Sequence, residues 1–172
     1  MLALLKLLQS LVKTLHSEGT PLQIGAGFAF GAALGLTPLF NIHNLLVLVA
    51  LTMLNVSFGA GLLAMVVFAP VGFLLDPLFD RLGRRLLLET PALQPMWTTL
   101  DNTPVLALFG FDNTVVLGSV VGWLVLFGPI LLLAQRGVIY YRATLGERVR
   151  RTRVYHAVVG SQAYNVYRWF RP

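Results

Sequence analysis

The alternation of apolar and polar positions divides the chain into blocks of different character. From Met1 to Ser17 the pattern is helical and two-sided. At 100° per residue, Lys6, Gln9, Ser10, Lys13 and Ser17 share one face, and Leu4, Leu5, Leu8, Leu11, Val12 and Leu15 cover the other. Lysine opposite leucine predicts an amphipathic helix over 1–18 that lies in a membrane interface; packing on a partner or on the protein's own bundle is the alternative. Gly19-Thr20-Pro21 ends it, with Gly as the C-cap and Pro opening the next helix. The segment lacks a charged n-region and a following A-x-A site, so it does not read as a signal peptide.

Residues 21–75 contain no Asp, Glu, Lys or Arg. That run would supply two crossings of about 20 residues each, yet it is interrupted. Leu22–Leu36 is one apolar piece, Thr37-Pro38-Leu39-Phe40-Asn41-Ile42-His43-Asn44 breaks it, and Leu45–Leu54 follows before Asn55-Val56-Ser57. Two short helices around a polar, Pro-containing turn predict a broken or re-entrant hairpin over 22–54, with two tilted full crossings as the alternative. A third apolar stretch covers 58–75. Asp76-Pro77 then reads as the N-cap and first residue of a new helix. That helix, over 77–88, has an apolar side of Leu78, Phe79, Leu82 and Leu86 and an i,i+4 pair of Asp80 and Arg84. Pro91, Pro95 and Pro104 make 89–112 irregular, and 115–134 is a clear apolar span.

Composition decides what kind of surface such helices face. Hydrophobic residues make up 56% of the 172 and charged ones 12%, about half the share a water-covered domain carries; the mean hydropathy is +0.75. The expected fold class is therefore all-α, a polytopic helical membrane protein. It has an amphipathic N-terminal helix, the Gly-rich hairpin and two further transmembrane helices in one membrane domain over 1–135. The segment 76–112 forms an interfacial and polar connection, and 136–172 an Arg-rich cytoplasmic tail. The formal charge of +6 comes from that tail, with eight Arg against Glu147, whereas 76–112 holds three Arg and five acids. The Arg and Lys bias places both termini in the cytoplasm, although Arg81, Arg84 and Arg85 weaken it.

Candidate chemistry is sparse. Gly27, Gly31 and Gly35 recur at every fourth position, and Gly118 and Gly122 repeat the spacing, a ridge that lets helix backbones approach closely either within the chain or against a partner. Thr37, Asn41, His43 and Asn44 form a polar cluster inside the apolar run. They either mark a ligand site or cap the helix that starts at Leu45, with Asn44 as its N-cap. His43 is of the one residue type whose ordinary range lies near neutrality, but it has no sequence neighbour to form a relay or metal site. Asp-Asn-Thr occurs at 101–103 and 112–114, suiting helix caps, or a polar site if Asp76, Asp101 and Asp112 converge. Leu36-Thr37-Pro38-Leu39-Phe40 recurs as Leu75-Asp76-Pro77-Leu78-Phe79, as an internal repeat would require if each copy ends a helix. Arg148, Arg150, Arg151 and Arg153 fit anionic lipid headgroups rather than nucleic acid. With no Cys and no H-E-x-x-H, G-x-S-x-G, Walker A or Rossmann pattern, the expectation is a non-enzymatic chain with no cofactor or metal.

Together, Gly25-x-Gly27-Phe28-Ala29-x-Gly31, Leu36-Thr37-Pro38, Asn41-x-His43-Asn44, Leu75-Asp76-Pro77-Leu78-Phe79, Asn102-Thr103-Pro104 and Asn113-Thr114-Val115-Val116-x-Gly118-Ser119 carry a resemblance. The chain resembles an uncharacterised family of small multi-pass inner-membrane proteins of Gram-negative bacteria, itself similar to a broader domain-of-unknown-function group with a glycine-rich first hairpin. The resemblance covers about residues 1–140. It implies an inner-membrane location and, because members tend to be encoded beside a larger envelope protein, a partner of that kind; it supplies no catalytic residues. The expected function is a membrane subunit that anchors or assembles with a larger envelope protein. The alternative is a small oligomeric transporter or channel with its site at the 37–44 break.

Overall fold

The computed structural model describes residues 19–144. The predicted amphipathic helix at 1–18 and Arg148, Arg150, Arg151 and Arg153 lie outside them. Among the described residues the chain is entirely helical: α1 (Pro21–Leu36), α2 (Ile42–Met53), α3 (Phe58–Leu87), a 3-10 turn (Pro91–Leu93), α4 (Gln94–Asp101), α5 (Pro104–Ala107) and α6 (Thr114–Thr144). At 1.5 Å per residue, α1 and α2 are about 24 and 18 Å long, and α3 and α6 about 45 Å each. Both α3 and α6 are long and apolar enough to cross a membrane.

The first helix starts where Thr20 and Gln23 build a reciprocal capping box, with Pro21 at the first helical position. Gln23 also reaches Asn55 (Nε2 to Oδ1, 2.8 Å), and the Ser57 N–H donates to the Gln23 carbonyl at 3.0 Å. Arg142 donates to the Gly19 carbonyl at 2.9 Å. The start of α1, the α2–α3 loop and the C-terminal part of α6 therefore meet at one end. The hairpin turn, the C-terminal part of α3, residues 88–113 and the start of α6 occupy the other.

What sets the packing is direct contact between backbones. A Cβ added at Gly31 would stand 2.0 Å from the Gly61 carbonyl oxygen and 2.6 Å from its Cα. No side chain fits there, so α1 and α3 run parallel with main chains touching, through Gly27 against Ser57, Gly31 against Gly61, and Gly35 against Met65 and Phe68. The seam closes at Gly72, which meets the backbone of Gly35 and Leu36. A second seam joins α3 to the antiparallel α6, where Gly83 faces Thr114 and Gly118 faces the Phe79 carbonyl at 1.9 Å from an added Cβ. Around these seams small residues of α1 (Ala29, Ala32, Ala33) carry Leu36, Phe79 and Ile130 on one side and Leu34, Val47 and Leu51 on the other. Trp123 of α6 crosses between the two groups and donates its indole N–H to the Ala29 carbonyl at 2.9 Å.

The structure moves one boundary. Asp76-Pro77 does not open a new helix: α3 continues unbroken through Pro70 and Pro77 to Leu87, so 58–75 is part of a 30-residue helix rather than a separate span. Proline removes one backbone donor, but Gly72, Phe79 and Gly83 all face neighbouring helices, and that packing outweighs the local preference. The second copy of the Leu-x-Pro-Leu-Phe echo therefore lies inside a helix, whereas the first follows the end of one. The last helix likewise runs to Thr144, past the tail boundary expected at 136. Asp80 does pair with Arg84 at 2.9 Å, and it also accepts a hydrogen bond from Thr114, tying α3 to the first residue of α6.

The seams give a stability test with an internal control. Gly31→Ala and Gly118→Ala are expected to cost at least about 2 kcal/mol each, since backbone must separate to admit the methyl. Gly128→Ala, where an added Cβ meets nothing within 4 Å, is expected to be neutral within about 0.5 kcal/mol. Unfolding in mixed micelles measures all three.

Candidate functional site

The polar cluster predicted at 37–44 forms one connected turn. Leu36 ends α1, and the Thr37 N–H still closes on the Ala33 carbonyl at 3.0 Å. The Thr37 hydroxyl lies 2.8 Å from both that carbonyl and Asn44 Oδ1. It has one proton, and because Ala33 already accepts an N–H, the proton is needed most at Asn44. Asn44 then donates through Nδ2 to the Pro38 carbonyl at 2.8 Å, and Asn41 Nδ2 reaches the same carbonyl at 3.0 Å. Two amides thus satisfy the backbone that a proline-containing turn leaves open.

Asn44 is not the N-cap expected of it. α2 starts two residues before it, at Ile42, with Asn41 in the capping position but making no side-chain cap bond. Asn44 sits in the first turn, 5% exposed, with its side chain directed back to Thr37 and Pro38. It is drawn there because His43, Asn44, Val47 and Leu51 share the face of α2 buried in the bundle. His43 is 9% exposed, and neither of its ring nitrogens has a hydrogen-bond partner among the described residues. Of the four polar residues, then, Thr37, Asn41 and Asn44 are committed to the turn and His43 is not.

The level of this turn along the bundle follows from the glycine seam. Gly35 and Leu36 lie against Gly72, one helical turn, about 6 Å, before Asp76. Asn41 also approaches the loop before α6: a Cβ added at Gly110 would stand 3.6 Å from Asn41 Oδ1 and 3.9 Å from Asp112 Oδ1. Gly110 holds φ +66°, the left-handed region that glycine occupies without strain. The turn therefore sits where the charge-free part of α3 ends and the polar segment begins.

The glycine ridge of α1 is filled from within. Gly27, Gly31 and Gly35 meet α3, Gly118 meets the α3 backbone, and Gly122 meets the Phe79 ring, which leaves none of these five surfaces open to a second chain. Gly61, Gly72 and Gly83, their partners on α3, were not singled out by spacing of four. They recur every eleven residues, three helical turns, which keeps them on one face. That period was the available signal.

The three carboxylates do not converge. Asp101 and Asp112 line one groove beyond the end of α3, whereas Asp76 lies on α3 outside it. No trio of His, Asp or Glu among the described residues is close enough to hold a metal ion. The cap at α6 belongs to Asn113 rather than Asp112: its Oδ1 accepts from the N–H of Val115 at 2.9 Å and Val116 at 3.3 Å. Asp101 ends α4 instead of starting a helix.

Comparison with known proteins gives one point of contact. The chain is 28% identical over 155 residues to a protein of Treponema pallidum (strain Nichols) that carries the name "Uncharacterized protein", an alignment covering 90% of this chain and 95% of that one. No family model matches the chain, and no solved structure matches it. The similarity to an uncharacterised protein extends through the described helices and is consistent with an uncharacterised family.

Proposed function

We propose that the chain is a non-enzymatic subunit of a bacterial inner membrane that crosses the bilayer four times and assembles with a larger envelope protein. The observation that carries the membrane part is the outward surface of the long helices. Only 28% of the apolar window of α3 and 22% of that of α6 is buried within the chain. Phe73 and Leu74 on α3 and Val125 and Leu133 on α6 are each at least 70% exposed. An apolar surface of that extent needs hydrocarbon or another protein against it.

Register along α3 supports the four-crossing reading. The hairpin is level with residues 57–72 of α3, within its charge-free stretch, and its turn lies one helical turn before Asp76. The Lys and Arg bias favours the cytoplasm for the end that gathers Gly19 and Arg142. The partner part rests on what is left over. The polar groups of the turn are committed to backbone, while α2 presents Leu45, Leu46 and Met53 outward, each more than half exposed. Lipid covers such a face as well as protein does, so the partner is the element to test. Purification from native membranes in mild detergent, with mass determination of the whole complex, is expected to recover a stoichiometric larger protein. A clean homo-oligomer, unchanged after cross-linking in intact cells, would overturn the subunit reading.

A second reading, a small oligomeric transporter using the 37–44 break, is favoured by one observation: the buried His43, whose two ring nitrogens have no partner among the described residues. The two readings separate by mutation. If the turn is structural, Asn44→Leu is expected to lower stability by about 1–3 kcal/mol, through the backbone groups it leaves unpaired, while His43→Leu is tolerated with assembly intact. If His43 serves transport, His43→Leu abolishes flux in liposomes with fold and assembly unchanged.

The chain has no cysteine, which makes its topology directly measurable. Single cysteines at Asn55 and Phe40 are expected to react with an impermeant maleimide from opposite sides of sealed vesicles. Labelling of both from the same side would contradict four crossings.

A further inference from the structure

His43 is sealed by the packing of the hairpin without being used in it. The residue is 9% exposed, and both ring nitrogens are buried with no hydrogen-bond partner among the described residues. A neutral imidazole carries one N–H donor and one acceptor nitrogen. Leaving both unmade in an interior has a cost that an apolar side chain of similar size escapes. The other polar groups of the turn are directed elsewhere: the Thr37 hydroxyl to Ala33 and Asn44, and the Asn41 and Asn44 amides to the Pro38 carbonyl.

Protonation changes this balance in a defined direction. It gives the ring a second N–H and a positive charge, and a buried charge needs a partner. The elements around α2 offer none in reach. α1 holds no titratable residue, α3 none before Asp76 and α6 none before Arg136. Asp76 lies one helical turn past Gly72, which meets Leu36, and Asp112 approaches Asn41 across Gly110. Neither pairs with His43. The packed position of α2 therefore suits the neutral ring, and its stability is present at high pH and lost as the pH falls.

The two ends of α2 are held differently. Beyond its C-terminal end the loop is tied down, with Gln23 bonded to Asn55 at 2.8 Å and the Ser57 N–H to the Gln23 carbonyl at 3.0 Å. At the turn end Leu39 and Phe40 stand outside the bundle, exposed, and the Thr37–Asn44 hydrogen bond joins the first turn of α2 to the end of α1. A displacement that brings His43 to water thus lifts the turn end and leaves the other end in place.

We propose that His43 is a proton-operated latch on the hairpin. With the ring neutral, the first turn of α2 packs in the bundle; with the ring protonated, that turn is drawn out to the polar boundary. In a bilayer, proton access rests on the four-crossing reading, which puts the turn at shallow depth. In micelles it does not, so the latch and that reading fail separately.

Release is measured on the full chain in dodecyl maltoside, by pulsed EPR between nitroxides on introduced cysteines, which the cysteine-free chain permits. Leu46 and Phe73 report the turn end of α2 against α3, and Met53 and Leu62 report the tied end; all four positions are exposed. Titration from about pH 8 to about pH 4.5 is expected to move the Leu46–Phe73 distance by more than about 5 Å, the rise of one helical turn, and to leave Met53–Leu62 unchanged. In His43→Leu the first pair is expected to keep its high-pH distance throughout. If that variant does not fold, His43→Gln, polar but uncharged at every pH used, supplies the same control. A first pair that stays in place with His43 present, a shift that survives the His43 substitution, or both pairs moving together would overturn the latch. So would a Leu46–Phe73 distribution that narrows without moving, the mark of a charged ring recruited by Asp76 or Asp112.

Discussion

Contact between the main chains of α1 and α3 at Gly31 and Gly61 is the constraint on which the other positions depend. With an added Cβ only 2.0 Å from a carbonyl oxygen, neither helix can rotate or slide to offer a larger residue at that point. If the long helices lie in lipid, as proposed, close packing of this kind is what fixes their arrangement. It sets the register of the hairpin along α3, and the register sets the level of the polar turn. The second seam, Gly83 with Thr114 and Gly118 with Phe79, then fixes α6 and brings Thr114 to Asp80.

Much of this is legible in the amino-acid sequence. The apolar pieces at 22–36 and 45–54 gave the hairpin to within a few residues, because Pro21 and the Thr37-Pro38 break are local signals. The fourfold spacing of Gly27, Gly31 and Gly35 marked a close-packed helix face. What the spacing could not reveal is which helix it meets; the choice depends on Gly61 and Gly72, whose eleven-residue period is long and easily passed over. The misread boundary at Asp76-Pro77 has the same origin. Asp followed by Pro is a strong local sign of a helix start, and it is overridden by Phe79 and Gly83, whose contacts on α6 are 31 to 43 residues away in sequence. Within Asp112-Asn113-Thr114 the capping role falls to Asn113 because α6 begins at Thr114 and Asn113 is the residue next to it.

The candidate site was legible as residue types but not as roles. Thr37, Asn41 and Asn44 stand out in any apolar run. Only their geometry shows that they form a connected circuit, from Thr37 through Asn44 to the Pro38 carbonyl, which Asn41 joins. That circuit explains why a turn rich in polar groups can exist beside apolar helices without an external ligand. His43 is the member left out of it. Of the groove at Asp101 and Asp112, the sequence offered the two carboxylates but not their neighbours, since the lining comes from the end of α3, α4, α5 and the loop before α6 with no shared periodicity.

The account rests on the hairpin turn lying level with the end of the charge-free stretch of α3, and depth in a bilayer measures that directly. Nitroxide labels at Phe40, which is 100% exposed, at Leu74 and at Leu133 report the turn, the end of the α3 apolar stretch and, by the α3–α6 register, the level of the middle of the hairpin. In liposomes, accessibility to oxygen against a polar relaxant is expected to put Phe40 and Leu74 at the same shallow depth and Leu133 near the bilayer centre. A Phe40 label as deep as Leu133 would show a re-entrant hairpin and contradict the four-crossing arrangement.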